Sequence, residues 1–287
     1  MSAASHAAVD RAQASFLCAC TLDVAVRKPG NVSRHSAGHR MQAAMFTAAA
    51  QAAAEPLFRA GAGVGERVEA AVEASWSVAH CNTNLGILLL CAPLAVAVER
   101  FPDAPLRDAL AEVLAGLSLA DAEHAFRAIA RANPGGLGDA PAEDVRQAPS
   151  VDLRTAMALS AGHDLIARQY RDGYADLFER ALPALGEGFI NPAQASCEWP
   201  DAATTAAVQR LYVELLSSFP DSHIVRKHGE AVAQTVMASA QAWRGVADLD
   251  ASPGFAAWDE SLKAQGINPG TSADLTVATL MIAGLRA

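Results

Sequence analysis

Apolar positions recur along most of this chain at the three-to-four-residue spacing of a helix face. In the first segment Val9, Phe16, Cys20 and Val24 fall near one stripe, which predicts a helix over about residues 5–26. The same spacing predicts helices at about 40–60, 66–80, 85–100, 105–117, 120–132, 151–171, 174–185, 201–218, 222–243, 255–265 and 272–286. Breakers separate them: GAGVG at 61–65, NPGGLGDAP at 133–141, FINP at 189–192 and GINPGTS at 266–272. No run alternates apolar and polar residues with β-branched enrichment, so no sheet is expected. No fixed-period repeat or linker interrupts the pattern. The expectation is a single all-α domain over residues 1–287, a multi-helix bundle.

Composition sharpens this picture. The chain is 52% hydrophobic, with alanine the largest part, and only 18% charged. Alanine loses no side-chain entropy in a helix, and so few charges argue against disorder. The most apolar run, Leu85 to Val98, contains Pro93 and is shorter than the roughly 20 residues a membrane span needs, so it reads as a buried core helix. The first twenty residues lack the basic-then-apolar order of a signal peptide. The five cysteines, at 18, 20, 81, 91 and 197, lack zinc spacing and read as reduced thiols of a soluble cytoplasmic protein. A weakly charged, alanine-rich surface is compatible with a homodimer.

A net charge of −9 argues against nucleic-acid binding, which needs a basic face. It leaves room for a small phosphorylated ligand, because a few local cations suffice. Such cations cluster in Arg27-Lys28-Pro29-Gly30-Asn31-Val32-Ser33-Arg34-His35, where Pro-Gly ends the first helix. Lys28, Asn31 and Arg34 suit phosphate there, with His35 a candidate proton carrier; a helix C-cap is the alternative reading. Asn82-Thr83-Asn84-Leu85-Gly86 precedes the apolar helix, where Asn84 either caps it or meets a ligand. Asp121 precedes the glycine-rich turn carrying Gly135 and Gly136, which would admit a ligand close to the backbone; Asp121 could equally cap its own helix.

Two further features look locally unfavourable. His163-Asp164 falls inside the predicted 151–171 helix among Ala, Leu and Ile, where a carboxylate needs a metal, a proton to move, or an ion pair with Arg168. Asp221 caps the predicted 222–243 helix, which places Arg226 and Lys227 near a helix start, where cations are disfavoured unless an anion is present.

Taken in order, KPGN, NTNLG, DAEHAFRAI with ANPGGLG, HDLIARQY, DSHIVRKHG and PGTSADL resemble the triphosphoribosyl-dephospho-CoA synthase family of CitG/MdcB type, from about residue 16 to 284. The resemblance implies an all-α transferase that moves the 5-triphosphoribosyl unit of ATP to the ribose 2′-hydroxyl of dephospho-CoA with release of adenine. It implies Mg²⁺, for which Asp121, Asp164 and Asp221 are the candidate ligands. Lys28, Arg34, Arg226 and Lys227 become a phosphate clamp, oriented by Asn31 and Asn84. Asp164 is the first choice of base, with Asp121 and His35 as further catalytic candidates. The chain departs from the usual KPGLVD and NTHKG forms: Ser33 stands for the acid and Leu85 for the lysine. Its KPGNV form resembles a branch found beside tetrahydromethanopterin-type metabolism, so phosphoribosyl transfer to a pterin precursor is the alternative. A metal-dependent phosphohydrolase and a non-catalytic helical partner are readings from other classes.

Overall fold

The computed structural model describes residues 3–134, 143–186, 189 and 197–285. Its helices run α1 (Ala3–Ala25), α2 (Ala43–Leu57), α3 (Val64–Ala79), α4 (Leu85–Arg100), α5 (Leu106–Ala115), α6 (Leu119–Ala132) and α7 (Leu153–Ser160). They continue as α8 (Leu165–Asp172), a π-helical turn Leu177–Ala181 leading into α9 (Leu182–Leu185), α10 (Ala202–Ser218) and α11 (Ser222–His228). The last three are α12 (Glu230–Gln241), α13 (Pro253–Ala264) and α14 (Gly270–Leu285). Among the described residues there is no strand, only isolated bridges within the 33–41 loop. No helix among them is long and apolar enough to cross a membrane.

The centre of the bundle is α4, buried at every position from Leu85 to Val98. A helix apolar on all sides has to be surrounded by others, and α1, α3, α5 and α14 all pack against it. Pro93 has no N–H, so the Leu89 carbonyl four residues earlier loses its helical partner. The Tyr170 hydroxyl donates to that carbonyl at 2.6 Å, and the Tyr174 hydroxyl donates to Leu90 O at 2.9 Å. Both tyrosines are fully buried, and these bonds fix the α8 end of the bundle onto its central helix.

Two predicted helices are broken, and both breaks relocate candidate residues. The 151–171 helix stops after Ser160 and restarts at Leu165, so Asp164 is the N-cap of α8 and not a mid-helix residue. The 222–243 helix is cut at Gly229, whose φ of +87° suits glycine. Arg226 and Lys227 therefore lie in the last turn of the seven-residue α11, where cations favour the helix dipole. The apparent electrostatic violation at that site disappears. Cysteine chemistry also differs from expectation: Cys18 and Cys197 form a disulfide with Cα atoms 5.4 Å apart, while Cys20, Cys81 and Cys91 are free thiols.

Candidate active site

The starts of α4, α8 and α14 and both ends of the short α11 line one cavity of about 300 Å³. Leu85, Gly86 and Ile87 of α4 line it, as do Asp164, Ile166 and Ala167 at the start of α8. His223, Arg226 and Lys227 come from α11, and Gly270, Ala273 and Asp274 from α14. Helix N-termini carry partial positive charge, but the first N–H groups of α8 and two of those of α11 are already taken by side-chain oxygens. One half of the lining is apolar, including Phe46, Ile87, Leu89, Phe126, Ile129 and Met157. The other half holds Asp23, Asn31, Asn82, Asn268, the cations and two imidazoles, His39 and His223. A larger open depression lies over Asp176, Glu179, Arg180 and Glu214, but Asp176 and Glu214 there are already paired with arginines.

The loop after α1 is held against the approach to α14. Gly30 N donates to Asp259 Oδ1 at 2.9 Å, Tyr212 donates to Pro29 O at 2.7 Å, and Asn31 Nδ2 donates to Asn268 Oδ1 at 3.1 Å. Gly30 adopts a φ of +81°, and a Cβ there would stand 2.7 Å from Pro269 Cδ. Glycine is required both for the backbone angle and for the close approach. This contact sets Asn31 and Asn268 side by side on the cavity wall.

Helix caps then fix the polar groups. Asp164 Oδ1 accepts from Ile166 N and Ala167 N at 2.9 and 3.0 Å, while its Oδ2 meets Arg226 Nη1 at 2.6 Å. Arg226, not Arg168, is its ion partner; Arg168 pairs with Asp176. Asp221 caps α11 through His223 N and Ile224 N, and its other oxygen accepts from Ser272 N and Oγ at 2.7 and 2.8 Å. Leu165 N donates to Ser222 Oγ at 2.8 Å, so α8, α11 and α14 are bonded start to start.

The cavity imidazoles are neutral near pH 7. Burial, reinforced by Lys227 and Arg226, pushes His223 down to about 3, and burial lowers His39. Positive charge on the lining is thus supplied by Arg226 and Lys227. Lys227 makes no hydrogen bond or ion pair among the described residues. Burial raises the Asp23 carboxyl, opposed by Lys28. Asp274 is pushed well above the carboxylate range, first by burial and then by Asp23 and Asp221. Buried atoms without a hydrogen-bond partner collect here too: Asn31 Oδ1, Thr83 Oγ1, His223 Nε2 and Arg226 Nε all belong to lining residues. Such groups are rare in folded proteins and mark places where a ligand completes the bonding.

The predicted site residues divide sharply. Asn31, Asp164, Arg226 and Lys227 line the cavity. Lys28 does not: it is fully buried, with Nζ 3.1 Å from Asp23 Oδ1, and holds a cavity carboxylate in place from behind. Arg34 and His35 are exposed; Arg34 lies over the Trp199 ring at 4.3 Å. Asn84 is buried beside the α4 start without capping it, since Asn82 Oδ1 accepts from Leu85 N. Asp121 accepts from Ser118 N and Oγ at the start of α6 and from Gly65 N of α3. Its role there is a capping box and an interhelix contact. Gly135 and Gly136 lie outside the described residues.

The three carboxylates expected as Mg²⁺ ligands are therefore not assembled. Asp121 caps α6, Asp221 has both oxygens engaged, and Asp164 alone lines the cavity. Among the described residues no group of three or more His, Cys, Asp or Glu is arranged to hold a metal. Among the described residues the three expected carboxylates form no metal-binding set. Asp23, His223 and Asp274, none of them singled out by the linear pattern, also line the cavity.

The Lys28–Asp23 pair gives a direct expectation. Lys28→Met should destabilise the fold by about 3–5 kcal/mol, because it leaves Asp23 buried without its cation. Asp23→Asn added to that variant should recover part of the loss. Urea unfolding of the single and double variants measures both.

Residues 9–287 match the family described as CitG, ATP:dephospho-CoA triphosphoribosyl transferase. A crystal structure of a proposed triphosphoribosyl-dephospho-CoA synthase from Archaeoglobus fulgidus superimposes with a TM-score of 0.61 at 25% identity, covering 83% of this chain and 98% of that one. No curated protein gives a significant sequence match. The protein is accordingly a phosphoribosyl-type transferase enzyme. The chain belongs to the ATP:dephospho-CoA triphosphoribosyl transferase family.

Proposed function

We propose that the cavity between the starts of α4, α8, α11 and α14 transfers the 5-triphosphoribosyl unit of ATP to the ribose 2′-hydroxyl of dephospho-CoA, releasing adenine. The observation that carries this reading is the juxtaposition of Arg226 and uncommitted Lys227 with the apolar residues of the same cavity. The cations hold phosphate; the apolar half takes the planar ring. Mg²⁺ enters in this reading on the triphosphate as part of the substrate, since Mg²⁺ commonly rides on phosphates with few protein ligands.

Displacement at C1′ passes through a state with oxocarbenium character, positive at the sugar. Carboxylates on the cavity wall favour that charge. Asp164 is the proposed acceptor of the proton from the attacking hydroxyl. Its caps hold the side chain at the edge of the cavity, and Arg226 beside it ties the base to the phosphate clamp. Asn31 and Asn268, bonded to each other, are the proposed orienting pair for ribose hydroxyls.

A second acceptor is favoured by one observation. Leu85, where the family pattern has lysine, is on the cavity lining. An apolar side chain there removes a cation that an anionic acceptor would use and suits a pterin precursor. Incubating the protein with Mg·ATP, with and without dephospho-CoA, separates the readings. Adenine release that depends on dephospho-CoA, with the matching mass increase, is the expected result. Adenine and ribose triphosphate without an acceptor would mean hydrolysis. No adenine, but turnover of phosphoribosyl pyrophosphate with a pterin alcohol, would move the function to the second acceptor.

A further inference from the structure

We infer that Asp274 is the acid that protonates the departing adenine, an assignment that rests on the transfer reaction proposed above. Its carboxyl lines the cavity beside Gly86 and the apolar Ile166. A Cβ placed on Gly86 would lie 2.6 Å from Asp274 Cγ and 2.7 Å from Ile166 Cδ1, so the carboxyl and an apolar wall share the space that this glycine leaves open. A base seated in the apolar half would present its edge to Asp274, with the sugar and phosphates towards Arg226 and Lys227.

Its neighbours are already engaged. Asp23 has Lys28, Asp164 has Arg226 and two backbone N–H groups, and Asp221 has both oxygens bonded. No hydrogen bond or ion pair holds the Asp274 carboxyl among the described residues. Cys20 and Asp23 from α1, Cys91 from α4, Asp164 from α8, and Asp221 and Arg226 from α11 are the titratable groups that interact with it. Only Arg226 among them favours the ionised form, and burial opposes it. Burial and the neighbouring carboxylates favour the protonated form of the Asp274 carboxyl, and its place on the cavity lining with no bond of its own leaves that proton free to be given.

The step balances. The C1′–N9 bond breaks and its electron pair goes to adenine, which takes the Asp274 proton at a ring nitrogen and leaves neutral. The acceptor oxygen bonds to C1′ and gives its proton to Asp164. Exchange with water then reprotonates Asp274 and deprotonates Asp164.

The test compares two donors in the intact protein with dephospho-CoA as acceptor. One is ATP; the other is ribose 5-triphosphate carrying 4-nitrophenolate at C1′, which departs as an anion and needs no proton. Asp274→Asn should slow adenine release by about 10²–10⁴-fold, the usual weight of a general acid. Nitrophenolate release should stay within about threefold of wild type, because no proton transfer is removed from that reaction. Equal losses with both donors would overturn the assignment. If wild type refuses the aryl donor, the pH profile decides: kcat with ATP should fall on the alkaline side in wild type, and that limb should vanish in the variant. A limb that persists in Asp274→Asn overturns the proposal.

Thermal melting guards against misfolding and supplies a sign. Below about pH 4 the carboxyl is neutral in both folded and unfolded chains. As pH rises it ionises first in the unfolded chain, so stability is lost until the raised folded value is passed. The Tm of Asp274→Asn should therefore gain on wild type as pH rises above about 4; a variant that melts lower at pH 7 would make Asp274 a structural residue. A wild type that releases no adenine with any acceptor removes the transfer reading itself, before any variant is made.

Discussion

Asp164→Asn is expected to lower kcat for adenine release by about 10²–10⁴-fold, the range for a positioned general base, while leaving far-UV helicity intact. Asparagine is as good an N-cap as aspartate. The bonds from Ile166 N and Ala167 N to Oδ1 therefore survive, and α8 keeps its start. What disappears is the negative charge that would take the hydroxyl proton. The lost pair with Arg226 is partly exposed, 23% at Asp164 and 20% at Arg226, so its loss should cost at most about 1 kcal/mol. Arg226, released from its partner, remains available to phosphate, and KM for ATP should move by less than about tenfold. Single-turnover adenine release and circular dichroism on the same sample make the check. A fall in helicity that matches the fall in rate would reduce Asp164 to a cap.

That expectation differs from the one the linear pattern supports, and the difference is instructive. Periodicity finds α4 almost to the residue because a helix apolar on every side has no competing reading. It runs α7 and α8 together because the apolar Leu153, Ala156 and Met157 are followed after a short gap by the apolar Ile166, Ala167 and Tyr170 across the turn at 161–164. The signals for a break are present but weak: Gly162, then an aspartate directly before an apolar pair. Read as a cap, Asp164 would have needed no buried-charge argument. Ser118-Leu119-Ala120-Asp121 spells a capping box outright, which accounts for Asp121 without chemistry. Lys28 and Arg226 were both legible as phosphate-binding cations, yet residue type cannot say which of them faces inward. Lys28 turns away because Asp23, five residues earlier on the same helix end, is within its reach. Asp274 becomes visible as chemistry only once Gly86, from the other end of the chain, is set against it.

Asp221→Ala should lower stability by about 3–5 kcal/mol, because it strands several buried donors at once. Oδ1 serves His223 N and Ile224 N, and Oδ2 serves Ser272 N and Oγ. His223 N alone has another acceptor, Thr271 Oγ1 at 3.1 Å. Asp221 is fully buried, so water cannot replace the lost oxygens. Against a typical total of about 5–15 kcal/mol the change is large, and it falls where α11 meets α14. Those helices carry Arg226, Lys227 and Asp274, so surviving folded protein should bind ATP more weakly as their mutual register loosens. Asp221→Asn should lose nearly as much: its amide turns a donor towards Ser272 N, itself a donor. The same pair of variants tests the alternative of Asp221 as a Mg²⁺ ligand. A ligand role predicts that excess Mg²⁺ restores turnover in Asp221→Asn with little change in Tm. The bonding described here predicts a lowered Tm, a raised KM for ATP and no rescue by Mg²⁺, and urea unfolding with steady-state kinetics over a Mg²⁺ series decides between them.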